Sequence, residues 1–289
     1  MTTKALAAAL GSGELLSPKL IATDLDGTLL RSDGTVSLRT VDALRAAQDA
    51  GFEVVVATAR PPRWMHELTD VIGDHGIAIC SNGAYVYDVT ARRVVSERLI
   101  VAEAVVGMVD ALRRAIPGIA FAVENAAGFG REPAYVDLHV SPPDTQVSDI
   151  ADLLDPLPGK LLARAPGVGE DEFLRRVTEV VGESALVAFS GAGGLAEISA
   201  VGVTKAAVLS EWAAERGVWP HQVWAFGDMP NDVPMLTWAG TSFAVANAHP
   251  EVLAVADHVV GSNDDSGVAG IVELAIRHSQ GLTTEPRTR

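Results

Sequence analysis

The chain has 289 residues, 48% of them hydrophobic and 20% charged, with a formal net charge of −15 at pH 7. This length and composition suit two globular domains of ordinary size and exclude a disordered polymer. The acidic balance argues against nucleic acid and anionic membranes as partners, because those polyanions are held mainly by Lys and Arg on phosphates. No apolar run approaches the roughly 20 residues needed to span a bilayer.

Residues 1–17 are rich in Ala and Gly, carry one lysine and lack the apolar stretch of a signal peptide, so a loose extension is expected there. The polar stretch 281–289 is expected to be frayed as well. A single cysteine, Cys80, cannot form an internal disulfide, which fits a reducing, cytoplasmic location and a packing role for the thiol.

Order is expected from Pro18 onward. Leu20–Thr23 is a short apolar run that stops at a turn-rich Asp-Leu-Asp-Gly-Thr segment, the pattern of a buried strand ending in a functional loop. Ser37 can cap a helix with Val41, Leu44 and Ala47 on one face, and Gly51 closes it. Phe52–Ala57 reads as a second buried strand. Pro61 and Pro62 open a helix whose apolar positions are Trp64, Met65, Leu68, Val71 and Ile72, and Ile77–Cys80 follows as a third strand. Alternation of helices with continuously apolar strands predicts a parallel sheet covered on both faces.

Then the texture changes. Tyr85–Tyr87 and Arg93–Val95 alternate around a polar turn, as in an antiparallel hairpin. A helix over 102–115, a strand at 119–123, a Pro-rich loop near 141–143, a strand at 160–163, a helix over 170–181 and strands at 185–189 and 195–198 complete this region. The first rhythm returns with a helix from Thr204 to Arg216, a strand at Val223–Phe226 and a short helix from Asn231 to Trp238. Residues 61–204 separate two crossover units, where one such unit needs only about 30 residues. The surplus is domain-sized. It predicts a discontinuous core, 18–86 with 200–280, and an inserted α/β domain, 87–199, able to close over a site.

Candidate functional residues follow the predicted strands, where open parallel sheets place their ligands. Asp24 and Asp26 follow the first strand, Thr58 the second, and Asp228 with Asp232 the Val223–Phe226 strand, while Lys205 opens a late helix. Two carboxylates this close can divide into a nucleophile and an acid when a metal keeps one ionised. Mg²⁺ takes hard oxygen ligands, which Asp24, the backbone carbonyl of Asp26 and Asp228 can supply. Lys205, the Thr58 hydroxyl and N–H groups near Gly27 can stabilise phosphoryl oxygens. Each feature alone also reads as a solvated turn or a capped loop; their ordered recurrence at strand ends is what singles them out. The seven histidines show no metal-ligand spacing, and the five tryptophans read as packing. In the insertion, Glu124, Arg131, Tyr135, Asp137 and His139 are candidates to face a substrate, and Arg60 lies near enough to Thr58 to reach the site.

These residues resemble the haloacid dehalogenase superfamily, and within it the Cof-type, class IIB phosphatases. The first motif stands as Asp24-Leu25-Asp26-Gly27-Thr28-Leu29, the second as Thr58, the third as Lys205, and the fourth as Gly227-Asp228-Met229-Pro230-Asn231-Asp232. Thr58-Ala59-Arg60 departs from the usual Thr-Gly-Arg. Ser81-Asn82-Gly83-Ala84 and Ala246-Asn247-Ala248 are subfamily echoes. The resemblance implies a doubly wound Rossmann-like parallel core with an α/β cap between the second and third motifs. It implies that Asp24 is the nucleophile and forms an aspartyl-phosphate, and that Asp26 is the acid, then the base. Thr58 and Lys205 would hold phosphoryl oxygens, Asn231, Gly27, Asn82 and Gly83 would join in substrate binding, and Asp232 would complete a Mg²⁺ shell with Asp24, Asp26 and Asp228. The implied reaction is hydrolysis of a small phosphorylated metabolite such as a sugar phosphate. Transfer to a sugar hydroxyl, as in a phosphomutase, and a silent binding protein are the competing readings.

Overall fold

A computed structural model of the chain describes residues 16–68, 76–138, 141–189 and 193–281. The expected loose ends lie almost wholly outside these residues, as do His75, His139 and the second half of the helix expected after Pro61. What is described of that helix is a 3₁₀ turn, Pro62–Leu68.

In chain order the strands are β1 (Leu20–Thr23), β2 (Glu53–Ala57), β3 (Ile77–Cys80), β4 (Tyr85–Asp88), β5 (Arg93–Glu97), β6 (Ala120–Asn125), β7 (Gly128–Arg131), β8 (Gln146–Val147), β9 (Pro158–Arg164), β10 (Leu186–Ala188), β11 (Ala196–Ser199), β12 (Val223–Gly227), β13 (Thr241–Val245) and β14 (His258–Val260). The α-helices are α1 (Leu38–Asp49), α2 (Ala102–Ala115), α3 (Glu170–Val181), α4 (Lys205–Glu215), α5 (Val233–Trp238), α6 (Pro250–Val255) and α7 (Gly267–Ser279).

One sheet has the order β14-β13-β12-β1-β2-β3-β4-β5. It is parallel from β14 to β3, with Leu20 level with Val223 on one side and with Glu53 on the other. The apolar runs Leu20–Thr23 and Val54–Ala57 are buried throughout because helices cover both faces. Ser37 caps α1, its hydroxyl accepting from the Thr40 N–H, and Thr204 caps α4 in the same way.

The hairpin corrects the expected boundary at 86/87. Its first strand pairs antiparallel with β3, Cys80 opposite Tyr85, and β5 then forms the sheet edge, so this sheet runs on to Glu97. The local alternation around its turn reads as the start of something new. Tyr85, Val86 and Tyr87 are nonetheless buried, because β4 is interior to the sheet and only β5 meets solvent.

A second sheet, β10-β11-β9-β6-β7-β8, is antiparallel except at its β7–β8 edge. Its side chains alternate between two faces. Phe121, Val123, Leu161, Ala163 and Ile198 pack under α2 and α3, with Val109, Leu112, Phe173 and Val177. The alternate positions, Glu124, Lys160, Leu162, Arg164 and Glu197, line the opposite face. That face looks onto the loops at the carboxyl ends of β1 and β2.

Candidate active site

The chain leaves β1 toward β2 and β3 on one side, and returns through β12 on the other. This change of direction, between β1 and β12, is where open α/β sheets leave a crevice beyond their carboxyl ends. Asp24 stands one residue past β1, Thr58 one past β2 and Asp228 one past β12.

Lys205 is the hub. Its side chain is 1% exposed, and its Nζ donates to Asp24 Oδ1 at 2.5 Å and to Asp232 Oδ1 at 2.6 Å. The other Asp232 oxygen accepts from the N–H groups of Asp228 (3.1 Å) and Met229 (3.0 Å). Asp232 therefore braces the loop that carries Asp228. Thr28 donates to Asp228 Oδ1 at 2.8 Å. Gly27 has a φ of +81°, and a Cβ there would sit 2.3 Å from Asp228 Oδ2, so only glycine lets the first loop approach this carboxylate. Gly83 plays a similar part at the start of α4: a Cβ on it would lie 2.7 Å from the Thr204 carbonyl.

Asp24, Asp228 and Asp232 each offer a carboxylate oxygen, all within 4.8 Å of one another. Burial raises the Asp24 pKa well above the usual carboxylate range; Lys205 opposes the shift, while Asp232 and Asp228 add to it. Burial pushes Asp228 up to about 6, with Asp232 adding to the shift and Thr28 and Lys205 opposing it. Burial also works against the charge on Lys205, but Asp232 and Asp24 outweigh it and hold the ammonium above the lysine range. Three carboxylates around one ammonium leave an excess of buried negative charge. A hard divalent cation is the natural counterpart for such a set of oxygens.

A pH dependence follows, with its sign. Between 3.8 and about 6 the native Asp228 binds protons that the unfolded chain has released, so the metal-free protein loses stability as pH rises through that window. Metal needs the deprotonated carboxylate, so its affinity falls as pH drops through about 6. The thermal shift produced by MgCl₂ is expected to be large at pH 7.5 and mostly lost at pH 5. Equal shifts at both values would contradict this placement of the ion.

Asp26 stands apart from the three clustered carboxylates. Arg60 grips it bidentately, Nε to Oδ2 at 2.8 Å and Nη2 to Oδ1 at 2.6 Å, on a half-exposed rim. Thr58 is fully buried, and its hydroxyl accepts from the Arg60 N–H at 3.0 Å. Asn82 does not line the cavity: it accepts from Asn231 Nδ2 (3.2 Å) and donates to Glu197 (3.1 Å). Asn231 does line it, and its Oδ1 has no partner among the described residues.

The cavity above these groups measures about 330 Å³, in the range of small-ligand sites. Its floor holds Asp24, Asp26, Arg60 and Asn231; its roof holds Glu124, Phe129, Lys160, Leu162, Arg164 and Glu197 from the second sheet and Tyr135 from the loop after β7. Contacts across the two sheets hold this roof. Lys160 Nζ donates to the Ala59 carbonyl (2.8 Å) and to Glu197 (3.0 Å), and Arg63 forks onto Glu124 while lying over the rings of Trp64 and Phe129. Of the insertion residues singled out in the sequence, Glu124, Tyr135 and Asp137 reach the cavity, whereas Arg131 does not. Lys160, Arg164 and Glu197 were not foreseen; their alternation with Leu161, Ala163, Ala196 and Ile198 is the signal that marks them.

A sequence profile described as haloacid dehalogenase-like hydrolase matches residues 21–272. Bacillus subtilis (strain 168) YxeH is 31% identical over 268 residues, 89% of this chain and 98% of that protein. The pyridoxal phosphate phosphatase YbhA of Escherichia coli (strain K12) is 27% identical over 271 residues, 89% of this chain and 98% of its own. The solved structure of BT1666, from a study of phosphatases of this superfamily in Bacteroides thetaiotaomicron, superposes with a TM-score of 0.76 at 26% identity, over 90% of this chain and 96% of that one. The chain belongs to the haloacid dehalogenase-like hydrolases.

Proposed function

We propose that this haloacid dehalogenase-like hydrolase is a Mg²⁺-dependent phosphatase that cleaves the phosphate monoester of a small metabolite through an aspartyl-phosphate on Asp24. One observation carries the reading: Asp24 lies at the floor of a substrate-sized cavity, at the sheet's switch point, against Lys205 and beside Asp228. Asp24, the Asp26 carbonyl and Asp228 would hold the ion, which when bound neutralises charge on the phosphoryl group.

The remaining roles fall to the chain itself. An Asp24 oxygen attacks phosphorus, and the bond from phosphorus to the leaving oxygen breaks as Asp26 gives that oxygen its proton. Water then yields a proton to Asp26 and attacks the same phosphorus, which releases phosphate and restores the Asp24 carboxylate. Lys205 keeps Asp24 aimed, and the Thr58 hydroxyl and Asn231 receive phosphoryl oxygens. The acid role requires Asp26 to leave the Arg60 fork, so Arg60 holds the carboxylate ready at the rim until substrate enters. The inserted unit between Glu97 and Lys205 acts as a cap that excludes water during the covalent step.

Asp26→Asn is expected to lower kcat by roughly 10²–10⁴, the usual worth of general acid–base catalysis. Single-turnover phosphate release would measure it, and a wild-type rate would move the proton transfer to another group. The reading as a whole is tested by release of inorganic phosphate from a panel of phosphate esters with and without Mg²⁺. No release from any ester would favour a binding role. An isomerised phosphosugar without free phosphate would favour transfer.

A further inference from the structure

Four cationic side chains among the described residues line the cavity, and three of them are neutralised. Arg60 is held by Asp26, Arg63 by Glu124 and Lys160 by Glu197. Arg164 is the exception. It ends β9 on the cavity face, is 9% exposed, and among the described residues forms no ion pair. Its Nη1 donates to the Gly193 carbonyl at 2.7 Å, Tyr135 lines the same cavity near enough to feel its charge, and among the described residues its Nε has no partner. Asp137 also lines the cavity, and one of its oxygens accepts from Ser141 at 2.9 Å.

A buried guanidinium with no anionic partner among the described residues is costly unless something else supplies the counter-charge. Its setting says what that is. Beside it lie Phe129, Tyr135, Leu162 and Leu195, an apolar patch on the cap face of the second sheet, in the same cavity as Asp24. An Arg fork suits carboxylate and phosphate oxygens above other groups.

We infer that Arg164 receives a second anion of the substrate, a carboxylate or phosphate remote from the ester being hydrolysed, and that an apolar or aromatic body joining the two rests on Phe129, Leu162 and Leu195. This rests on the phosphatase reading of the floor, yet it concerns the roof alone. Tyr135 presents its hydroxyl beside the fork; burial, partly countered by Arg164, pushes that hydroxyl up to about 12, so it stays a donor at neutral pH.

The test uses matched probes on the full chain. Phenyl phosphate, 4-carboxyphenyl phosphate and 1,4-phenylene bisphosphate are compared by kcat/KM per phosphoryl group. One of the two probes that carry a second anionic group is expected to exceed phenyl phosphate by roughly 10–100-fold, the worth of a hydrogen-bonded charge, and which one does so tells carboxylate from phosphate. In Arg164→Met the ratio is expected to collapse toward one, and in Arg164→Lys to survive in part. Calorimetric binding of phenol, 4-hydroxybenzoate and 4-hydroxyphenylphosphonate, none of which carries a hydrolysable ester, repeats the comparison without hydrolysis. A failure of the catalytic reading, with no phosphate released, is thereby separated from a failure of this one. Arg164→Met is also expected to match or exceed the wild-type Tm, because it removes an unpaired buried charge. Equal handling of all three probes by the wild type, or a preference that persists in Arg164→Met, overturns the inference.

Discussion

Asp24→Asn is expected to abolish phosphate release and, in the absence of metal, to leave the protein at least as stable as the wild type. The loss comes from chemistry. An amide cannot form the acyl phosphate, and removal of a covalent nucleophile costs on the order of 10⁶ in kcat in a well-studied hydrolase. The stability comes from electrostatics. Burial and the neighbours Asp232 and Asp228 make the ionised Asp24 expensive, and a neutral side chain of the same shape removes that cost. Its oxygen can still accept from Lys205, which now sits 2.5 Å from Asp24 Oδ1. Steady-state phosphate release and thermal melts with and without MgCl₂ check both halves. A rate within tenfold of the wild type would remove Asp24 from the covalent step, and a sharp fall in the metal-free Tm would mean that its charge supports the fold.

Lys205→Met is expected to be among the most destabilising single changes in the core, by about 3–5 kcal/mol, as for other buried ion pairs that lose one partner. The side chain is 1% exposed and its ammonium is bonded to two carboxylates, so its loss leaves the buried Asp24 and Asp232 without their cation. Denaturant titration would measure the loss. MgCl₂ at pH 7.5 should restore part of it. A loss below about 1 kcal/mol, the scale of an exposed pair, would mean that the two contacts of Lys205 add little to the fold.

Much of the floor of this site was legible in the sequence because it is written in contiguous segments. Asp24 and Asp228 follow apolar runs that become β1 and β12, and a residue just past such a strand stands at the sheet's carboxyl end. Lys205 was legible as the first residue of a capped helix. What these groups bond to was not. The grip of Arg60 on Asp26 depends on where the loop after β2 folds back, and no periodicity encodes that. Asn82 was expected beside substrate, but Ser81 and Asn82 take left-handed backbone angles that point the amide between Asn231 and Glu197. The roof was the least legible. Lys160, Arg164 and Glu197 sit on the cavity face only because α2 and α3 claim the other face of their sheet, a fact of tertiary packing. The hairpin misled for a related reason: an edge strand and the first strand of a new domain alternate alike.

The position of β1 also bears on how the molecule comes into being on the ribosome. Its two flanking partners are β2, which follows closely, and β12, whose Val223 pairs level with Leu20. Until the last quarter of the chain has been synthesised, one edge of this apolar strand stays unpaired. The second sheet and its two helices have their own apolar core and can close before that moment. A nascent or prematurely terminated chain would therefore carry a finished roof over an unfinished floor, with an open strand edge of the kind that recruits other chains.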